Sequence, residues 1–197
     1  MKLGRVVFVM LVGSVLLNVV LAHRLREFNR LFGETSEQLL KPGATVPSFE
    51  CVDLEGQAQT IAYNSVSKPT VLYIFTPPCS WCARNMDSFK ELVARKGADY
   101  RFIGVSLSRE GLTEYVAAQG LTLPIYTRLS LESLKIYKLG GTPETIVISP
   151  EGRVLRNWMG AYVGGQKSQV EAFFHVSLPG LKELPKEEKG KAAPEKQ

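Results

Sequence analysis

The feature that most restricts the folds open to this chain is Phe75-Thr76-Pro77-Pro78-Cys79-Ser80-Trp81-Cys82, which joins an apolar run to a helical pattern. Thr70 to Phe75 is continuously apolar and β-branched, which predicts a strand buried on both faces. After Cys79, residues Met86, Phe89, Leu92 and Val93 recur at helical spacing, which predicts a helix to about Lys96 that Gly97 ends. Cys79 thereby falls at the first helical turn. There the unpaired backbone N–H groups and the positive end of the helix dipole favour thiolate over thiol. Two thiols separated by two residues can close a small disulfide across that turn. Cys79 is then the candidate nucleophile towards a partner's disulfide, and Cys82, one turn inside, the resolving thiol.

A Cys-x-x-Cys pair is also half of a zinc knuckle, but a tetrahedral site needs four ligands. The chain adds only Cys51, His23 and His175, none suitably spaced, so no metal is expected. A purely structural bridge would close too small a loop to constrain the unfolded chain much. Redox chemistry is the reading left, and it needs no cofactor beyond the Cys79–Cys82 pair itself.

With 197 residues, 45% of them hydrophobic, the chain can bury one domain plus appendages. Its net charge of +5 invites a nucleic-acid reading, which the distribution of charge removes. From Gly33 to Val176, 14 Lys or Arg face 14 Asp or Glu, and the excess sits mainly in the first 32 residues. A nucleic-acid surface would need basic clustering on the folded domain. The basic residues flank Val6 to Ala22 instead, an uncharged run of 17 residues. As a helix it covers roughly 25 Å, a marginal bilayer span. Two readings stand: an uncleaved anchor, suited by the arginines that follow, and a signal peptide cleaved after the small Ala22. The count of Lys and Arg does not orient it. The redox motif points outward, because partners for disulfide exchange lie mostly outside the cytoplasm.

Taken in order, Arg24 to Phe32 continues the helical pattern with an apolar face suited to the membrane interface. Residues 33–46 read as a linker broken by Pro42-Gly43. Phe49 to Leu54 and Gln57 to Ile61 alternate around Glu55-Gly56, a hairpin signal that puts Cys51 in its first strand, where it is either a third redox thiol or, the reading preferred, a small buried hydrophobe. Arg101 to Leu107 reads as a strand, Ser108 as the cap of a helix over Arg109 to Gln119, Leu123 to Tyr126 as a short strand and Ser130 to Leu139 as a helix. Thr145 to Ile148 and Val154 to Trp158, joined through Pro150-Glu151-Gly152-Arg153, predict an antiparallel pair. Gln166 to Phe174 is the last helix, with His175 a solvated residue at its end. From 178 to 197 the composition turns to Lys, Glu, Pro and Ala, which predicts a disordered tail. Alternating strands and helices that finish in an antiparallel pair give an α/β domain with a mixed sheet covered by helices.

Four features together resemble the thioredoxin superfamily, and within it the membrane-tethered thiol–disulfide oxidoreductases of the TlpA, ResA and CcmG type. They are the hairpin before the first core strand, Cys79-Ser80-Trp81-Cys82 after that strand, an extra helix and strand around Arg109 to Tyr126, and Gly141-Thr142-Pro143-Glu144-Thr145 before a later strand. The resemblance covers about residues 44 to 177. It implies a thioredoxin fold over 47–177, with an N-terminal hairpin and a helix–strand insertion, preceded by one transmembrane helix within residues 1–32. It further implies a cis Thr142–Pro143 bond, with Trp81, Thr142 and Pro143 meeting a bound substrate strand. Glu144 is the candidate proton acceptor for Cys82, by analogy with the Pro-Glu-Thr of CcmG-like proteins; a solvated glutamate at a strand start is the other reading. The expected partners are disulfide- or dithiol-bearing exported proteins and a membrane thiol reductant or oxidant. The expected location is the inner membrane, with the domain on the periplasmic or extracytoplasmic side.

The chain departs from the pattern in two places. Pro77-Pro78 stand where the family has a Trp before the first cysteine, a flank similar to the thioredoxin-like accessory protein of methylamine dehydrogenase maturation. A role in cytochrome c or other metalloenzyme maturation is what these likenesses jointly imply. The buried Asp that many thioredoxins carry in the preceding strand is absent, and Tyr73 is the one ionisable group there. A different chemistry is suggested by Thr76-x-x-Cys79, part of the peroxidatic motif of peroxiredoxins, although Leu72 stands where that motif wants a proline. Copper delivery on the same fold needs a three-residue cysteine spacing and a downstream histidine, and both are missing.

Overall fold

The computed structural model describes residues 10–11, 13–15, 17–23 and 39–182. The chain divides into two units, residues 1–40 and 41–197. In the first, the described residues between 10 and 23 are helical, with Met10, Leu11, Val15, Leu17, Val19, Val20 and Leu21 exposed. Among the described residues no helix is long and apolar enough to cross a membrane. The expected anchor from Val6 to Ala22 lies partly outside the described residues, and the interfacial helix from Arg24 to Phe32 wholly so.

The second unit is built around one strand. Residues Thr70–Phe75 form β3, and all six are buried, as a strand with paired neighbours and covered faces requires. Before it come β1 (Phe49–Val52) and β2 (Ala58–Ile61), an antiparallel two-stranded hairpin. After it come α1 (Ser80–Lys96), β4 (Arg101–Ser106), α2 (Leu112–Gln119), β5 (Ile125–Tyr126), α3 (Leu131–Ile136), β6 (Glu144–Ile148), β7 (Val154–Met159) and α4 (Gly164–Phe174). The main sheet has the order β5-β4-β3-β6-β7. Strand β3 runs parallel to β4 and antiparallel to β6, and β7 closes the far edge antiparallel to β6. The hairpin is tied to the opposite edge through Val52 and Thr127, which exchange two backbone hydrogen bonds of 2.8 Å.

Register decides what each face carries. Val71, Tyr73 and Phe75 share one core with Val147 and Trp158, beneath Cys82, Met86, Phe89 and Leu92 of α1 and Val170 and Phe174 of α4. The Tyr73 and Phe89 rings stack 3.9 Å apart, fixing α1 on the strand that feeds it. The alternate residues Leu72 and Ile74, opposite Ile146 and Glu144, face the other side of the sheet.

The structure corrects several boundaries. The linker expected over 33–46 is part of the fold from Lys41 onward: Gly43 N–H donates to Val154 O and Val46 N–H to Gly152 O, each at 2.8 Å, and Val46 is buried. These residues add backbone pairing along the start of β7, which a Pro-Gly composition does not reveal. The tail expected from 178 is also folded at its start. Leu178 is buried, and Lys182 N–H donates to Arg84 O at 2.8 Å. Helix α2 begins at Leu112 rather than Arg109. Gly111 occupies its N-cap in the left-handed region, while the Ser108 hydroxyl is taken by the Glu110 N–H in a preceding turn. Helix α3 is shorter than expected at both ends, and β5 is reduced to two residues.

Candidate active site

Cys79 is the N-cap of α1, with extended backbone (φ −74°, ψ 105°), and its Sγ accepts the Cys82 N–H at 3.0 Å. The side chain thus occupies the place that a capping serine or aspartate oxygen takes elsewhere, satisfying one of the helix's orphan donors. A turn closed by Cys79 N–H to Thr76 O, at 3.1 Å, carries the chain from β3 into this cap. Cys79 and Cys82 form a disulfide with their Cα atoms 5.2 Å apart. Cys79 is partly exposed whereas Cys82 is fully buried, so only the first sulfur faces a partner. The Cys82 N–H is the first-turn donor that meets Cys79 Sγ, and that turn holds no acidic residue. An anionic sulfur is therefore stabilised there.

The loop before β6 faces this pair. The Thr142–Pro143 bond is cis, as the resemblance implies. Cys79 Sγ lies 3.5 Å from the Thr142 carbonyl oxygen, and the Thr76 and Thr142 hydroxyls lie 3.4 Å apart. Gly160 N–H donates to Pro143 O at 2.7 Å, which pins the loop to the end of β7. A Cβ at Gly141 would come within 2.8 Å of Met159 Sδ, so a larger residue there would push the Met159 side chain aside. Trp81 lies half exposed between the cysteines, at 50%.

Glu144 is not the solvated strand-start residue of the alternative reading. It is fully buried, and burial raises its carboxyl from the usual range to about 7. The Asn157 amide, diagonal to it across β6 and β7, pulls the other way. Neither carboxylate oxygen meets hydrogen-bond geometry with that amide or with any other described group, and the amide of Asn157 is equally unpartnered. The register places Glu144 on the Ile74 face of the sheet, whereas Cys82 packs on the Tyr73 face. The two end up adjacent in topology but separated by β-sheet.

What lies on the Cys82 face is a buried polar relay that the sequence reading missed. Asn85, fully buried one turn after Cys82, donates from Nδ2 to Tyr73 Oη at 3.4 Å and accepts the Tyr162 N–H on Oδ1 at 2.8 Å. The Tyr162 hydroxyl in turn meets Thr145 Oγ1 at 2.7 Å. The signal was present: Asn85 interrupts the apolar stripe of α1, and a polar residue on a buried face has to find partners. Burial, with the neighbouring Tyr162, drives the Tyr73 hydroxyl upward, so it stays neutral and acts as a hydrogen-bonding group.

Cys51 lies elsewhere, in β1, buried and unbridged, with its Sγ 3.6 Å from Gln59 O. Among the described residues no group of His, Cys, Asp or Glu could hold a metal ion.

Comparison with known proteins places this geometry among relatives. The model of the AhpC/TSA family matches residues 42–156. The thiol–disulfide oxidoreductase ResA of Geobacillus thermodenitrificans is 26% identical over 123 residues, 61% of this chain and 70% of that protein. ResA of Halalkalibacterium halodurans is 26% identical over 156 residues, 77% of this chain and 85% of that one. Among solved structures, the thioredoxin domain of a thiol–disulfide oxidoreductase from Bacteroides vulgatus superposes with a TM-score of 0.56 at 22% identity, covering 68% of this chain and 99% of that domain. At that identity the structural likeness establishes the thioredoxin fold.

Proposed function

The chain belongs to the AhpC/TSA family, and from that premise we propose that it is a thiol–disulfide oxidoreductase that exchanges disulfides with exported proteins through Cys79 and Cys82. The observation that carries the reading is the bridged pair itself, with its first cysteine partly exposed on a helix N-cap and its second buried. Its likeness to the ResA proteins, named as oxidoreductases of this kind, supports it.

In the reducing direction, the Cys79 thiolate attacks one sulfur of the partner's disulfide, forming a mixed disulfide and expelling the partner's other sulfur as a thiolate that takes up a proton. Cys82 then loses its proton and attacks Cys79 Sγ. The Cys79–Cys82 bond closes and the partner leaves with two thiols, so two electrons and two protons have moved to the partner. The oxidising direction is the reverse. The Cys82 N–H, 3.0 Å from Cys79 Sγ, stabilises the first thiolate. Trp81 and the backbone of Thr142 and Pro143 form the docking edge for the partner strand. Glu144 serves as a proton-holding group next to that edge. It stands across the sheet from Cys82, with neither oxygen hydrogen-bonded to a described group.

The apolar run from Val6 to Ala22 anchors the domain to the membrane, with residues beyond Gly33 on the extracytoplasmic side and a membrane thiol carrier as redox partner. Maturation of c-type cytochromes or another metalloenzyme is the process we assign to it. Trapping tests the exchange reading: Cys82→Ser should accumulate covalent complexes with exported cysteine-containing proteins, and none forming would sink it. The peroxidatic alternative, in which Cys79 attacks a peroxide, is supported by Thr76 beside Thr142 and by the breadth of the family. Turnover of hydrogen peroxide by the purified chain, without a protein disulfide present, would favour it.

A further inference from the structure

On α1, three of the four cations have a carboxylate partner: Lys90 with Asp87 at 3.6 Å, Arg95 with Glu91 at 2.5 Å and Lys96 with Asp99 at 3.5 Å. Arg84, the cation nearest the cysteines, has none among the described residues. Its guanidinium carbon lies 4.8 Å from the centroid of the Trp81 ring. That distance puts a planar cation over an indole that is itself half in solvent.

The arginine is held from its other side by the segment after α4. Lys182 N–H donates to Arg84 O at 2.8 Å, and Arg84 Nε donates to Lys182 O at 3.4 Å. One turn along, the buried Ser88 hydroxyl accepts the Gly180 N–H at 3.0 Å and donates to Gly180 O at 2.8 Å. This strap runs back along α1 towards its cysteine end and fixes Arg84 with only Nε engaged. The terminal Nη groups have no acceptor among the described residues. Asp87, the closest carboxylate on the helix, is occupied by Lys90, and Lys182 brings a second cation with no described carboxylate against it. A side chain stacked, strapped and left without a counter-charge among the described residues, beside a redox pair, is placed to receive an anion from outside.

Resting on the exchange reading above, we infer that the Trp81–Arg84 rim is a specificity surface for a carboxylate-bearing segment of the partner protein that flanks its disulfide. The guanidinium edge offers two parallel N–H donors to a carboxylate, and the Trp81 face offers apolar contact to the adjoining residue. Such a rim raises the encounter rate with acidic partners and lowers it with basic ones.

The test uses two synthetic peptides, each closed by one intramolecular disulfide and identical except that Asp in one and Lys in the other flank the first cysteine. The reduced full chain, in neutral detergent micelles, is mixed with each, and the second-order rate of peptide reduction is measured at low and high salt. The Asp peptide should react about fivefold faster at low salt, with the ratio shrinking as salt screens the rim. Arg84→Gln should bring the ratio close to one, Arg84→Glu should invert it, and Arg84→Lys should keep most of it. Because each ratio is taken within one preparation, a partly misfolded variant does not disturb it. Equal rates with the unaltered chain, or a ratio that neither Arg84→Gln nor Arg84→Glu changes, would overturn the inference while leaving disulfide exchange intact. Reduction of neither peptide would overturn the exchange reading and this inference with it.

Discussion

Cys79 and Cys51 are the same amino acid in two regions of one small domain, and the regions give them opposite chemistry. Cys79 caps a helix, is partly exposed, and receives a backbone N–H at 3.0 Å. Cys51 sits in the hairpin strand β1, 3% exposed, where burial and then the nearby Asp53 carboxylate push its thiol up to about 11. Asp53 is itself held ionised by the Gln57 N–H at 2.8 Å and the Gln59 amide at 3.0 Å, so the negative charge beside Cys51 persists through neutral pH. The difference teaches that reactivity belongs to the backbone setting: donors aimed at a sulfur make a thiolate, while a dry strand beside an anion preserves a thiol.

The sharpest way to break this contrast is to remove the thiols one at a time. Cys79→Ser should abolish disulfide exchange and trap no partners, Cys82→Ser should trap partners as stable mixed disulfides, and Cys51→Ser should leave exchange at the parent rate. Equal trapping by the first two variants would show that nucleophile and resolver are wrongly assigned.

Alkylation of the reduced chain near neutral pH sharpens it quantitatively. A thiol at about 11 offers on the order of a hundredfold less thiolate than an unperturbed one. Cys79 should therefore label on the order of a hundredfold or more before Cys51, read by mass spectrometry of timed samples. Earlier labelling of Cys51 would show that the hairpin opens readily.

Glu144 carries the cost of a buried acid at the redox end, and Glu144→Gln should relieve it in a defined window. Its pKa is raised to about 7 in the folded chain, so at acid pH both states hold the proton and there is no penalty. As pH rises through the ordinary carboxylate value the unfolded chain releases its proton first, and the folded state loses stability relative to it until about pH 7, beyond which the deficit is constant. The variant should gain on the order of 3 kcal/mol over the parent at about pH 8 and little at about pH 4, by denaturant titration. A gain independent of pH would show that the carboxyl is not buried in its neutral form.

The smallest effect concerns the strap, which has no counterpart on the hairpin. Ser88→Ala removes both hydrogen bonds to Gly180 and should cost about 1 to 2 kcal/mol of stability. Amide exchange at Gly180 and Lys182 should quicken well before exchange in β3. Unchanged protection of those two amides would mean that Leu178 and the Arg84–Lys182 hydrogen bonds hold the segment without Ser88.

Much of this was readable beforehand for identifiable reasons. A six-residue apolar run rich in β-branched residues reads as a doubly covered strand, two cysteines at the head of a helical stripe are brought together by its first turn, and Pro150 to Arg153 turn the chain back. Cys79 and Cys82 were legible because their pairing depends on near neighbours in sequence, whereas the cis Thr142–Pro143 bond followed only from the resemblance. The burial of Glu144, the strapping of Arg84 and the pairing of Lys41 to Val46 with β7 depend on residues far along the chain.

The sequence by itself determined the order of elements and the redox turn, since local periodicity and spacing carry these. Only the tertiary structure decided which face each side chain takes. Glu144 follows Pro143 directly, and nothing local says whether it meets water; the antiparallel register of β6 with β3 and β7 turns it into the interior opposite Cys82. Arg84 reads as an ordinary surface arginine until residues 180–182 return along α1 and hold it over Trp81. In both cases the deciding partner lies tens of residues away, and contacts of that kind form only when the chain has closed on itself.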